Sequence, residues 1–127
     1  MNELTPEEKK VILEKGTEVP YSGKYYMETA KGIYRCRQCG NPIFSSEAKY
    51  HSDTPGLAGW PSFAEAIPGS IEYLEDHTFG MRRTEVVCAK CKGHLGHIFP
   101  DQDSKTGKHF CVNSCSLDLE KEEDKKL

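Results

Sequence analysis

The sequence contains no apolar stretch longer than a few residues, far short of the about 20 that a membrane-spanning helix requires. A membrane partner is therefore not expected. The first ten residues, MNELTPEEKK, hold no apolar h-region, which argues against a secretory leader and for a cytoplasmic location. Long basic runs are missing as well. Seventeen Lys and Arg stand against twenty Asp and Glu, a formal charge of −3, so nothing steers the chain toward nucleic acid. The short MRR at 81–83 is too small a patch to change that. Tryptophan occurs once, and no repeat or linker divides the 127 residues. A single domain, 1–127, is the reading, with a core small enough to gain from a covalent or metal staple.

What the chain does have is six cysteines. In a chain without a leader, thiol chemistry or metal binding is favoured over a disulfide framework. Two of them form CRQC (Cys36, Cys39) and two form CAKC (Cys88, Cys91). One such pair is either a redox dithiol or half a metal site. Two, each ending a strand-like piece, point to one closed zinc site with four thiolate ligands, structural because no position is left for substrate. Gly40 and Gly93 follow closely and let the chain turn. The 48 residues between the pairs form a long loop, whose closure by the ion couples folding to metal binding. Redox pairs or an iron–sulfur centre are the alternatives.

Around these pairs the pattern is short strands. GIYRC, PIFSS, AKYHS, TFGMRRTEVVC, HLGHIF, KHFCV and CSLDL read as strands, and PSFAEAI as one or two helical turns. Before them, LTPEEKKVILEKG reads as a short helix. Thr5 is the N-cap, Pro6 stands at N1, Glu8 closes a capping box and Gly16 is the stop. Residues 1–30 are taken as an N-terminal arm in which Tyr21, Tyr25 and Tyr26 pack on the core. Residues 120–127 are taken as a charged, frayed tail. The sum is a mainly antiparallel β domain with a short helical N-terminal arm.

Removing the zinc set leaves Cys111 and Cys115. Cys111 shares a strand face with His109 and Asn113, so that face carries a thiol, an imidazole and an amide. The preceding segment HLGH sets His94 and His97 three apart, able to line one pocket if the strand bends at Gly96. An imidazole can lower a thiol's pKa or donate a proton. GLAGWPSF places Trp60 on a glycine-rich loop, held extended by Pro61. Its indole is either core or one wall of an apolar pocket. An inert buried Cys111 is the bland alternative. A zinc-ribbon binding module would explain only the four zinc cysteines. Metal-assisted hydrolysis would use His94, His97 and Asp101 as ligands.

CRQCG, GWPSF, RRTEVVCAKCKGHLGHIFPD and TGKHFCVNSCSL together resemble the B-type peptide-methionine sulfoxide reductases, over about residues 5–120. The resemblance implies a fold of two small antiparallel sheets, a β-tent, with zinc on Cys36, Cys39, Cys88 and Cys91. It implies thiol-dependent reduction of the R epimer of methionine sulfoxide in proteins and peptides. Cys111 matches the nucleophile and passes through a sulfenic acid. His94 or His97 matches the group that protonates the sulfoxide oxygen. Trp60, Asn113 and His109 fall at the substrate. Thioredoxin or a similar thiol is the implied reductant, and no organic cofactor is implied.

The chain departs from that family pattern in three places. Ala58 stands where many members carry a resolving cysteine. His109 replaces a common arginine, and Cys115 a common alanine. Cys115 is thus a candidate resolver, or core filling. On one straight strand, four residues would separate it from Cys111 by about 13 Å, too far for a disulfide. A bond would need a turn, a bulge or melting in CVNSC.

Overall fold

A computed structural model describes residues 1–122. The first element is helix α1, Pro6–Ile12. The expected capping box is complete: the Glu8 N–H donates to Thr5 Oγ1 at 3.2 Å, and the Thr5 N–H to Glu8 Oε1 at 2.8 Å. The helix ends at Leu13, earlier than the expected stop. The left-handed residue beyond it is Lys15 (φ 59°), not Gly16. Gly16 matters for space: its N–H meets the Lys10 carbonyl at 2.8 Å, and a Cβ would lie equally close to that oxygen.

Nine strands follow: β1 Gly32–Cys36, β2 Pro42–Ser45, β3 Lys49–Tyr50, β4 Ser62–Phe63, β5 Ile71–Asp76, β6 Arg83–Cys88, β7 His94–Pro100, β8 Lys108–Val112 and β9 Leu117–Lys121. They form two sheets, β2-β1-β9 and β3-β4-β8-β7-β6-β5, with antiparallel pairing throughout. Two stretches differ from expectation. Ser62–Phe63 is a strand rather than a helical turn, because Phe63 is fully buried and stacks on Phe44 at 4.2 Å. Tertiary packing overrides the helical reading of PSFAEAI. Glu120 and Lys121, read as tail, pair with Ile33 and Gly32 in the small sheet. The remaining tail residues, 123–127, lie outside the described residues.

The core sits where the sheets meet. Tyr34 of β1, Phe44 of β2, Phe63 of β4 and Phe110 of β8 are buried together, with Tyr34 edge-on to Phe63 at 5.1 Å. Each such aromatic pair adds about 0.5–1.5 kcal/mol beyond its burial. The arm packs on this core by Tyr25, whose ring meets Tyr34 at 5.4 Å. Tyr21 stays largely exposed, its ring edge-on to Tyr26 at 5.2 Å. Arg37 ties the arm to the small sheet through Glu8 at 2.9 Å and Asp118 at 3.0 Å.

Candidate active site and metal centre

The two cysteine pairs lie at the turn after β1 and the turn after β6, and their backbones repeat one pattern. The Cys36 N–H donates to the Asn41 carbonyl at 2.7 Å, and the Gly40 N–H returns to the Cys36 carbonyl at 2.8 Å. The Cys88 N–H donates to the Gly93 carbonyl at 2.9 Å, and the Lys92 N–H returns to the Cys88 carbonyl at 2.8 Å. The left-handed position is Gly40 (φ 82°) in one turn and Lys92 (φ 66°) in the other. Gly93 is required for a different reason than expected. A Cβ there would sit 2.8 Å from Ile12 Cγ2 and 3.3 Å from Cys91 Sγ.

This geometry brings all four sulfurs within 4.8 Å of one another. Cys36 and Cys91 approach to 3.6 Å, as do Cys39 and Cys88. No disulfide joins any of the four among the described residues. A tetrahedral ion with bonds of about 2.3 Å to sulfur would set its ligands about 3.8 Å apart, so the cluster fits a metal ion. The Gly93 N–H points at Cys91 Sγ (3.4 Å) and the Asn41 amide at Cys88 Sγ (3.6 Å), donors that suit thiolates. His94, His97 and Asp101 form no such convergent group among the described residues, which removes the basis for a hydrolytic metal site.

The second site is built around Cys111. It is the register partner of His97 across β7–β8, and of Ser62 across β4–β8. Opposed residues present their side chains to the same face, so thiol and imidazole share one side of the sheet. A cavity of about 90 Å³ lies there, lined by Thr17, Gly56, Trp60, His97, Cys111 and Asn113, with Arg83, Gly96 and Phe99 completing it. The Trp60 Nε1–H donates to the Glu18 carbonyl at 3.0 Å, which fixes the indole. Its loop is locked by Gly59 (φ 109°), whose carbonyl accepts the Tyr21 N–H at 2.7 Å. Burial pushes the Cys111 thiol up to about 12, and the Glu18 carboxylate adds to the effect.

The spacing of HLGH is resolved by a bulge. Val86 pairs with Gly96 but Val87 with His94, so Leu95 is an extra residue in β7. Strict alternation would send His94 and His97 to opposite faces; one inserted residue restores them to the same one. Their rings meet edge-on at 5.5 Å. Gly96 serves close approach rather than a bend, since a Cβ there would lie 2.0 Å from the Cys111 carbonyl.

The histidines are not equivalent. His97 lines the cavity, and its Nε2 meets Asp76 Oδ2 at 2.7 Å. His94 is buried behind it, with Nδ1 on Glu85 Oε2 at 2.8 Å and Nε2 without a hydrogen-bond partner among the described residues. Burial lowers its pKa, and Glu85, held in turn by Lys15 at 2.9 Å, only partly offsets this. His109, expected at the substrate, does not line the cavity. It is fully buried, and its Nδ1 meets Asp101 Oδ2 at 2.9 Å. Its pKa too is lowered by burial, against the pull of Asp101.

Asn113 reaches the cavity, but its amide is already engaged. Its Oδ1 accepts the Glu18 N–H at 3.0 Å and its Nδ2 donates to the Leu95 carbonyl at 3.2 Å. Cys115 lies in a 3-10 turn, Ser114–Ser116, so the straight-strand geometry does not apply. Its N–H donates to Glu18 Oε1 at 3.2 Å. Burial and then Glu18 push its thiol up to about 11, and the Glu7 and Glu8 carboxylates of α1 add to this. Cys115 does not line the Cys111 cavity.

Glu18, Asp76, Arg83 and Glu85 are site residues that sequence reasoning missed. Asp76 and Arg83 are accessible to it in principle, because in a β5–β6 hairpin they are a cross-strand pair. Glu18 carries no local signal, because its neighbours Trp60, Asn113 and Cys115 are distant in sequence.

A SelR domain family model matches residues 4–121. Relatives named peptide methionine sulfoxide reductase MsrB include one from Methanosarcina mazei, 48% identical over 95% of this chain and 84% of the relative. Another, from Leptospira interrogans, is 45% identical over 94% of this chain and 89% of its own. One from Thiobacillus denitrificans is 47% identical over 91% and 85%. The crystal structure of the Mis18 Yippee-like domain is similar in fold alone: its TM-score is 0.53 at 15% identity, covering 72% of this chain and 96% of that one. With the family model spanning nearly the whole chain and relatives of this identity along its full length, the protein belongs to the SelR domain family, the B-type methionine sulfoxide reductases.

Proposed function

We propose that this protein reduces the R epimer of methionine sulfoxide in proteins and peptides, with Cys111 as the nucleophile. The observation that carries this is the Cys111 thiol inside a small cavity walled by Trp60 and faced by His97. Such a cavity admits the end of one side chain and little more. The indole packs against the S-methyl group, a favourable sulfur–aromatic contact. A sulfoxide sulfur is chiral, so three different walls select one epimer.

The chemistry starts from a neutral thiol, since burial raises Cys111. Its proton leaves as its sulfur attacks the sulfoxide sulfur, and the sulfoxide oxygen takes up a proton. His97 is the group that handles these protons, with His94 backing its ring. The oxygen passes to Cys111, the substrate S–O bond breaks, and two electrons move to the substrate. The products are methionine and a Cys111 sulfenic acid. A thiol then attacks the sulfenic acid, forming a disulfide and releasing water. Ala58 offers no thiol, and Cys115 lies toward α1, so the attacking thiol comes from the reductant, thioredoxin or a similar dithiol. Cys36, Cys39, Cys88 and Cys91 would hold one zinc ion, which supplies stability and no step of the reaction. No helix among the described residues is long and apolar enough to cross a membrane, and the cytoplasm is the proposed location.

The test is turnover of dabsylated methionine R- and S-sulfoxides with dithiothreitol. R-sulfoxide is consumed and S-sulfoxide is not, and Cys111→Ser falls to background while retaining its fold. Turnover of the S epimer, or substantial activity in the serine variant, overturns the reading.

A further inference from the structure

We propose that Asp76 is a positioning residue for His97: its carboxylate, 2.7 Å from His97 Nε2, fixes which ring nitrogen faces the cavity and supports the charged imidazole while a proton is delivered. The proposal rests on the function given above.

An imidazole has two nitrogens, and the partner of one decides the role of the other. With Nε2 on Asp76, Nδ1 is the nitrogen of His97 free to serve substrate. The carboxylate is set in place independently of His97. Its Oδ1 accepts the Thr78 N–H at 2.9 Å and the Thr78 hydroxyl at 2.8 Å. Its Oδ2 also takes Arg83 Nη2 at 3.0 Å, and the same Nη2 reaches Thr78 Oγ1 at 3.2 Å. The Thr78 backbone N–H, followed by His97, keeps the Asp76 carboxyl well below the usual carboxylate range. The hairpin turn that makes this possible is tight: Phe79 and Gly80 both adopt left-handed backbone, at φ 57° and 71°. Asp76 and Arg83 are opposed in register, so the turn delivers carboxylate and guanidinium to one side together.

Charged and titratable groups approach His97 from every neighbouring strand. Asp76 comes from β5, Arg83 and Glu85 from β6, His94 from β7 itself and Cys111 from β8. Glu85 is engaged by Lys15 and His94. Arg83 is paired with the same Asp76 carboxylate. Asp76 is the one carboxylate among the described residues in direct contact with its ring.

The experiment follows one turnover of pre-reduced enzyme on R-sulfoxide, without added reductant, from pH 5 to 9. Asp76→Asn keeps the shape and the Thr78 contact but loses the charge. Its single-turnover rate should fall about tenfold, less than the ~10²–10⁴-fold for losing an acid–base group outright. The half-saturating substrate concentration should stay within about twofold, because Asp76 acts after binding. The alkaline limb of the rate profile, where the proton donor is lost, should move about one pH unit lower. A rate within twofold of wild type, or a loss with the limb unmoved, overturns the proposal. A second measurement needs no variant of Asp76. In ¹⁵N-histidine spectra of the wild type at high pH, the His97 signal, assigned by its absence in His97→Gln, should show the proton on Nε2. A proton on Nδ1 overturns the proposal even if Asp76→Asn fails to fold. Failure of the wild type to reduce R-sulfoxide counts against the function, whereas an active wild type with an indifferent Asp76 counts against this inference alone.

Discussion

Four of the six cysteines and the remaining two occupy opposite kinds of surroundings. Cys36, Cys39, Cys88 and Cys91 converge on one point, in two turns where the Gly93 N–H points at Cys91 Sγ and the Asn41 amide at Cys88 Sγ. Cys111 stands alone in a cavity, and burial and a nearby carboxylate both oppose its ionisation. The first arrangement suits thiolates that hold an ion permanently. The second suits a thiol that gives up its proton only when a substrate fills the space above it. The residue type is common to both; the backbone and the neighbours set the difference.

The largest effect should come from breaking the convergent set. Cys88→Ser should drop bound zinc from about one per chain to below half and lower thermal stability sharply, because the ion clips distant chain segments together. Cys111→Ser should leave both untouched. Elemental analysis and melting curves check this; a metal-free wild type with disulfides in both C-x-x-C pairs would erase the contrast.

A smaller effect should come from Asp101, on the Cys111 side. Its carboxylate receives Tyr50 at 2.8 Å, Ser52 at 2.9 Å, Thr54 at 3.0 Å and His109 at 2.9 Å. Burial alone would raise its pKa, but the Asp103 N–H, Tyr50, Ser52 and His109 outweigh burial and hold it well below the usual range. A depressed folded-state pKa contributes stability that is complete above the unfolded value, about 3.9, and is lost as pH falls below it. Urea melts should therefore show wild type losing stability from about pH 5 downward, and Asp101→Asn should be less stable at pH 7 with a flatter acid dependence. Parallel curves for the two proteins would remove Asp101 from this role.

The smallest effect should come from Cys115. With its side chain toward α1, Cys115→Ala should keep most turnover with either dithiothreitol or thioredoxin. One equivalent of R-sulfoxide followed by disulfide mapping is the sharper check. A dominant Cys111–Cys115 bond, with selective loss of thioredoxin-supported turnover in the variant, would make Cys115 the resolver and would require the Ser114–Ser116 turn to melt.

Much of this architecture is legible in the residues. The capping box at Thr5 and Glu8, the two C-x-x-C turns and most strands announce themselves locally, because caps, knuckles and alternation are short-range patterns. Phe63 does not, since its strand exists to fill a core contributed by β1, β2 and β8. The cavity is half legible. Cys111, Trp60 and His97 stand out by type and motif, while His109 shares a strand with Cys111 yet faces a buried carboxylate network. Glu18 reaches Asn113 by its backbone N–H across 95 residues, whereas the Asp76 and Glu85 carboxylates act across 21 and 9, toward His97 and His94. Carboxylates are abundant in this chain, and only register distinguishes Asp76 and Glu85 from solvated ones.

The extra residue at Leu95 makes β7 a strand in which loss and gain of length are not equivalent. Deleting it would leave His94 and His97 two apart, on one face by plain alternation, with the pairing on either side unshifted. The cost would be the packing of one buried leucine and the Leu95 carbonyl, which accepts both the Asn113 N–H at 3.0 Å and its Nδ2 at 3.2 Å. Adding a residue between the two histidines would instead turn one ring to the opposite face unless the strand bulged further. Surface loops show the reverse preference, since added length there changes only the entropy of closure. In β7, length therefore decides which side of the sheet each histidine faces.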